Sequence, residues 1–342
     1  MQPLHNRSLS RRCLARFQTA SLATALALAA GGCTRGVTTV NIPPPPPVFQ
    51  STPDLNALAA AINRNDAVTE LSTNSASVDV LSMPAVPKLS ANLHLKREKR
   101  FRMRASIPIM MGTGIDLGSN AQEFWFEVPE GMTQTLYYAR HDQYAARLDR
   151  AILPVDPSWM IEAIGLVHLD PATVLAGPVT RSDGRIEIRT ALPTPAGTYQ
   201  RVLLVEPSAR YVTHLFLYAP DSRLVAKSQA SEHRYDADTG SVLPYRVKME
   251  LFPAVGPPLA MQLDVSTYAV NQLLSGDPQL FVMPTTTGNR IDLNQLSARN
   301  FSGLTPPAVA GGSDGTGSWL SGGGPSAYAA EATHGLPMRG LR

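Results

Sequence analysis

The stretch LSANLHLKREKRFRMRAS, residues 89–106, alternates apolar and polar side chains twice over, with a charged turn between the two runs. Leu89, Ala91, Leu93 and Leu95 share one face, and Ser90, Asn92, His94 and Lys96 the other. That is the period of two of a half-buried strand. After Arg97, Glu98 and Lys99, the residues Phe101, Met103, Ala105 and Ile107 face one way and Arg100, Arg102, Arg104 and Ser106 the other, which predicts an antiparallel hairpin. Working outward, 68–80, 123–128 and 135–140 read as further strands. Beyond them 186–189, 199–206, 211–218, 224–235, 245–251 and 259–265 follow with short turns between them, such as Pro207, Ser208 and Ala209. Ten or eleven antiparallel strands are more than a flat open sheet holds before it curls, so the expected fold is mainly β, a curved and unclosed barrel.

An apolar sheet face must be buried against something, and few helices are on offer. One is expected from Thr52 as N-cap with Pro53 and Asp54 in the first turn, its apolar set being Leu55, Leu58, Ala59 and Ile62. A second is expected from Asp156 and Pro157, carrying Trp159, Met160, Ile161, Ala163 and Ile164. Both are short. They suit a lid in the mouth of a half-barrel rather than a second layer.

Composition bounds the rest. With 44% apolar and 17% charged residues, the 342-residue chain can build a sizeable core. The 29 prolines gather near the ends and in turns, which suggests one folded body with flanks. The formal charge of +3 includes Arg7, Arg11, Arg12 and Arg16. Those four lie in a basic start that runs into an apolar stretch from Ala20 to Ala30 and then small residues, the pattern of an export signal. Without them, 26 basic residues face 27 acidic ones, a balance that offers nothing to nucleic acid.

The signal ends in Leu28, Ala29, Ala30, Gly31, Gly32 and Cys33, which resembles a bacterial lipobox with alanine at the position where leucine is usual. By that resemblance residues 1–32 are removed and Cys33 becomes the acylated first residue, tying the protein to a membrane. Ordinary cleavage near Ala25, Leu26 and Ala27 is the other reading of the same residues. Thr34 lacks the aspartate of inner-membrane retention in diderm lipoproteins, so the resemblance implies the outer membrane, facing the periplasm. Only Cys33 survives removal of Cys13, so no intramolecular disulfide is available. Residues 33–52, with prolines at every position from Pro43 to Pro47, read as a stalk. At ~3.1 Å per residue it could hold the body about 50 Å from the bilayer. The body spans 53–297, and the Gly/Ser/Pro-rich residues 298–342 read as a disordered tail.

Several stretches together resemble the LolA/LolB superfamily of periplasmic lipoprotein carriers and outer-membrane lipoprotein receptors. They are the helix leading into 72–80, the hairpin 89–106, the run Leu117, Gly118 and Ser119 through Glu123, Phe124, Trp125 and Phe126, and the closing 278–284. The resemblance covers about 53–296 and implies an unclosed β-barrel with a helical lid over an apolar cavity. It implies acyl chains or lipoproteins as cargo.

Chemistry-bearing motifs point elsewhere or nowhere. The five residues from Gly311 to Gly315 match G-x-S-x-G but have no strand before them and no helix after. His141, His214 and His233 lack metal-ligand spacing, and Asp236, Asp238 and Gly240 lack the later glutamate of a calcium loop. Gly112 and Gly114 fail the dinucleotide fingerprint. The expectation is a monomeric, non-enzymatic lipoprotein with no metal and no cofactor. Its contact residues are expected among Leu93, Leu95, Phe101, Met103 and Leu263 in the interior, and Ile109, Met110 and Met111 in an apolar connection following Ile107 and Pro108. The alternative is an assembly lipoprotein that uses the same fold, with a filled core, as an interaction platform.

Overall fold

The computed structural model describes residues 53–107, 114–130, 133–147, 150, 153–156, 159–208, 210–254, 256–286 and 288–296. Its first helix is α1 (Leu55–Ile62), whose N-cap is Asp54, the carboxylate accepting from the Ala57 N–H at 2.8 Å. The expected cap, Thr52, lies outside the described residues. Asp54 takes the role because its extended backbone turns the carboxylate onto the first free N–H groups.

The strands are β1 (Glu70–Asp79), β2 (Leu89–Lys96), β3 (Arg100–Ser106), β4 (Ile115–Ser119), β5 (Glu123–Glu130) and β6 (Thr133–Arg140), followed by the short helices α2 (His141–Ala145) and α3 (Trp159–Ala163). Then come β7 (Val174–Thr180), β8 (Ile186–Thr194), β9 (Gly197–Val205), β10 (Val212–Tyr218), β11 (Leu224–Ser231), β12 (Arg234–Tyr235), β13 (Val242–Leu243), β14 (Arg246–Leu251), β15 (Leu259–Val265), β16 (Ala269–Val270) and β17 (Asn289–Asp292). Fifteen of them form one sheet, in the order β17-β6-β5-β4-β3-β2-β1-β15-β14-β11-β10-β9-β8-β7 with β16 on β1. Every pairing is antiparallel except β17 with β6. The order begins at β17 and ends at β7, so the sheet is not closed into a barrel.

The hairpin forms as its alternation requires, with Leu93 opposite Met103 and Leu95 opposite Phe101. β1 keeps its apolar residues on the same side through a bulge. Thr73 pairs with Leu93 and Ala76 with Ala91, so the extra residue restores the inward parity that a strict period of two would lose. Leu263 then sits between Val78 and Val247, which continues the apolar row into β15 and β14.

That row, with Leu203, Val205, Leu215 and Leu217, makes one core with Leu58 and Ile62 of α1, Met160 and Ile161 of α3, and Ile164, Leu166 and Leu169 after it. The helices cover the apolar side of the sheet as the sequence predicts. The strand count is higher than expected because four members carry weak signals. β4, β16 and β17 are two to five residues long, and β7 contains Gly177 and Pro178, which suit an edge and break its pairing with bulges.

Past β16 the chain crosses the other side of the sheet as a strap. Ser72 Oγ donates to the Gln272 carbonyl (2.6 Å) and accepts from the Leu274 N–H (3.0 Å). Arg102 Nη1 donates to the carbonyls of Leu280 (3.0 Å) and Val282 (3.2 Å), and Asn120 Nδ2 to that of Phe281 (3.2 Å). The strap ends by adding β17 to β6 at the sheet edge. Beneath it the indole of Trp125 lies over Gly118, where a Cβ would stand 2.2 Å from the ring, so glycine is required there by close approach. Among the described residues no helix is long and apolar enough to cross a membrane.

Candidate functional site

The interior residues named from the sequence come together. Leu93, Leu95, Phe101, Met103 and Leu263 fall on adjacent strands in one apolar cluster, each at most 2% exposed. Their surface is taken up by α1, α3 and one another, so in this structure the interior is filled. Ile109, Met110 and Met111 lie outside the described residues, and their flanking Ile107 and Ile115 pack half-buried against the same core.

What holds the helical cover on the sheet is polar. Asn63, the C-cap of α1, exchanges two hydrogen bonds with the Leu169 backbone, at 2.9 and 2.8 Å. Asn65 donates to the Gly165 and Val242 carbonyls and accepts from the Val242 N–H. The two asparagines join α1 to the chain after α3 and to β13. From the sheet side comes Arg201 of β9, whose neighbours on the same inward face are Tyr199, Leu203 and Val205. Its guanidinium donates to Glu162 of α3 (2.8 Å), to the His168 carbonyl (3.1 Å) and to Thr190 Oγ1 (3.1 Å). A buried arginine on an apolar face is tolerable only with such a full set of acceptors. The sequence reading passed over Arg201, although a single cation at the inward parity of an otherwise apolar strand was the available signal.

One constellation has the composition of a nucleophilic triad. His141 lies 3.2 Å through Nε2 from Ser119 Oγ, and its Nδ1 contacts the carboxylate of Asp156. The geometry assigns it a structural task. Nε2 is nearer the Asn120 carbonyl, at 2.8 Å, and a carbonyl only accepts, so Nε2 carries a proton and is no base for the serine. Ser119 is fully buried. The imidazole joins β4, α2 and the approach to α3, where the Asp156 carbonyl also accepts from the Trp159 N–H. Pro157 lies outside the described residues, as do Cys33 and residues 311–315. Among the described residues no group of three or more histidines, cysteines or carboxylates is placed to hold a metal.

The remaining histidines stand in the sheet. His214 accepts at Nδ1 from Arg185 Nη1 (2.8 Å), and burial, then the Arg185 charge, pushes it down to about 4. His233 stacks on Tyr211 with ring centroids 3.7 Å apart, and burial brings it down to about 4 as well.

No family model matches the chain, and no curated protein matches it in sequence. Among solved structures it is similar to a domain named for outer membrane lipoprotein sorting from Vibrio parahaemolyticus, at 8% identity and a TM-score of 0.43, over 65% of this chain and 95% of that one. It is also similar to a LolA superfamily protein from Nitrosomonas europaea, at 13% identity and a TM-score of 0.38, over 66% of this chain and 96% of that one. These likenesses are faint, and at such values they assign the chain no activity and no cargo.

Proposed function

We propose that the protein is a non-enzymatic lipoprotein of the cell envelope, anchored through Cys33, that carries or receives acyl chains or lipoproteins at the outer membrane. The observation that supports this most is the manner in which the sheet covers its apolar face. Fifteen strands curl around two short helices and a connecting segment, and those are fastened to one another and to the sheet by Asn63, Asn65 and Arg201 rather than by a second layer. A cover held by a few polar ties can part from an apolar face and expose it, while a second sheet could not. An acyl chain is the cargo that an unbroken apolar row such as Leu95, Leu93, Phe101, Met103 and Leu263 can accept without unsatisfied polar groups. Residues 107–111, at the rim after β3, serve in this reading as the contact with a membrane or an incoming chain.

The burial of those same five residues favours a second reading, in which the core stays filled and the fold presents a surface to partner proteins. Native mass spectrometry of the purified, unlipidated protein separates the two. Co-purifying lipid at one copy per chain supports the carrier; a bare mass from every preparation supports the platform.

A further inference from the structure

The face of the sheet away from the apolar interior carries a cavity of its own. It has a volume of about 230 Å³ and lies between the strap and the outward residues of β1, β2 and β3. Its floor is Asn74, Asn92, His94, Arg102 and Arg104, and Leu274, Ser275 and Leu280 of the strap close its side. No carboxylate is among these lining residues. The nearest is Asp116 on β4, already taken by both terminal groups of Arg102, at 2.9 and 2.5 Å, and more distantly by Arg104 at 3.3 Å. Two guanidinium groups therefore share one carboxylate, and Arg104 keeps most of its donors.

The other lining groups also point to an acceptor-rich guest. Ser275 Oγ accepts from the Asp277 N–H at 3.2 Å, which leaves its own proton free to donate. Asn74 and Asn92 bring side-chain amides from two adjacent strands. His94 is 8% exposed, and its Nδ1 has no hydrogen-bond partner among the described residues. A buried polar atom without a partner beside a cavity calls for something to fill the cavity. Burial, and then the charges of Arg104 and Arg102, hold His94 below its usual range, a repulsion that a nearby anion would relieve.

We propose that this cavity binds a phosphate-class oxyanion, either a free phosphate or the phosphate of a lipid headgroup, held by Arg104, Asn74, Asn92 and Ser275 with His94 at its back. A tetrahedral anion offers acceptors in several directions, and these donors converge from two sides, three strands and the strap. The site lies on the opposite side of the sheet from the proposed acyl interior and does not depend on that reading.

The test is isothermal titration of the unlipidated full chain with inorganic phosphate, at ionic strength matched by sodium chloride. Arg104→Gln removes the partly exposed guanidinium and leaves the Arg102–Asp116 pair in place, so the denaturant midpoint should hold while phosphate affinity falls about tenfold or more. Asn92→Leu, at an exposed strand position, should give the same loss should Arg104→Gln fail to fold. Titration with glycerol 1-phosphate and with soluble dihexanoyl phosphatidylglycerol then distinguishes the sources. Tighter binding of the lipid, abolished by Arg104→Gln, assigns a headgroup, and equal binding of all three assigns the phosphate alone. Absence of saturable phosphate binding by the unmutated chain, or binding that both substitutions leave unchanged, overturns the proposal.

Discussion

Arg201 of β9 reaches from the sheet to Glu162 of α3, with Nη1 2.8 Å from Oε1, and its other donors go to the His168 carbonyl and Thr190. It is the charged tie between the curved sheet and the helices that cover its apolar side. Arg201→Met keeps the apolar stem and removes all three contacts. We expect a loss of about 1–3 kcal/mol of stability, since hydrogen bonds to a charged group are lost while half-exposed Glu162 can rehydrate. Amide exchange should rise selectively over 159–169, and acyl probes should enter faster. A uniform rise in exchange across the sheet would mean that the cover does not move separately.

Acid should weaken the protein in two steps. His214 and His233 are held at about 4 by burial, against 6.5 when free. The unfolded chain therefore takes up protons that the folded one refuses, and stability falls as pH drops from 6.5 towards 4, by of order 1 kcal/mol for each histidine. Asp264 acts below that window. Burial would raise it, but hydrogen bonds from Lys88, Arg246 and Gln262 outweigh burial and bring it to about 2 from 3.8, so its contribution is intact above 3.8 and lost as pH falls to 2. Denaturant midpoints at pH 7, 5 and 3 read both steps. His233→Phe keeps the ring against Tyr211 and should flatten the first; an unchanged slope between pH 7 and 5 contradicts this assignment.

Anchoring rests on Cys33. Acylation contributes about 0.8 kcal/mol per buried methylene, so several chains hold a protein on a membrane where one does not. Cys33→Ala should move the protein to the soluble fraction and abolish incorporation of labelled palmitate. Retention in the membrane fraction by the variant, with no label in the unmutated chain, would show that the anchor is elsewhere.

The hairpin and the inner faces of β14 and β15 were legible in the sequence because one buried side forces strict alternation. β1 shows the limit of that rule. Its Thr73 and Ala76 face inward together only through a bulge, which depends on the partner strand and leaves no mark in the residues themselves. β7 was hidden by Gly177 and Pro178, and β17 by its four-residue length and its dependence on the edge of β6. The interior site could be named in advance, since apolar positions of neighbouring strands must meet. Arg201 and the outer cavity could not. Both depend on which distant segment, 159–169 or 274–280, crosses a given face, and no local pattern encodes that.

The most direct measurement is stoichiometric uptake of a fluorescent fatty acid by the Cys33→Ala chain, read alongside the denaturant midpoint for Ala91→Phe and Ala105→Phe. These two alanines face each other on β2 and β3, 3% and 1% exposed, in the middle of the apolar row. Bulk forced into a core that stays filled costs about 1–3 kcal/mol, whereas bulk in a space that opens for cargo displaces the cargo. The carrier account predicts one probe per chain, and loss of uptake in both variants with midpoints close to that of the parent. A parent chain that never takes up the probe, with both variants strongly destabilised, would contradict it.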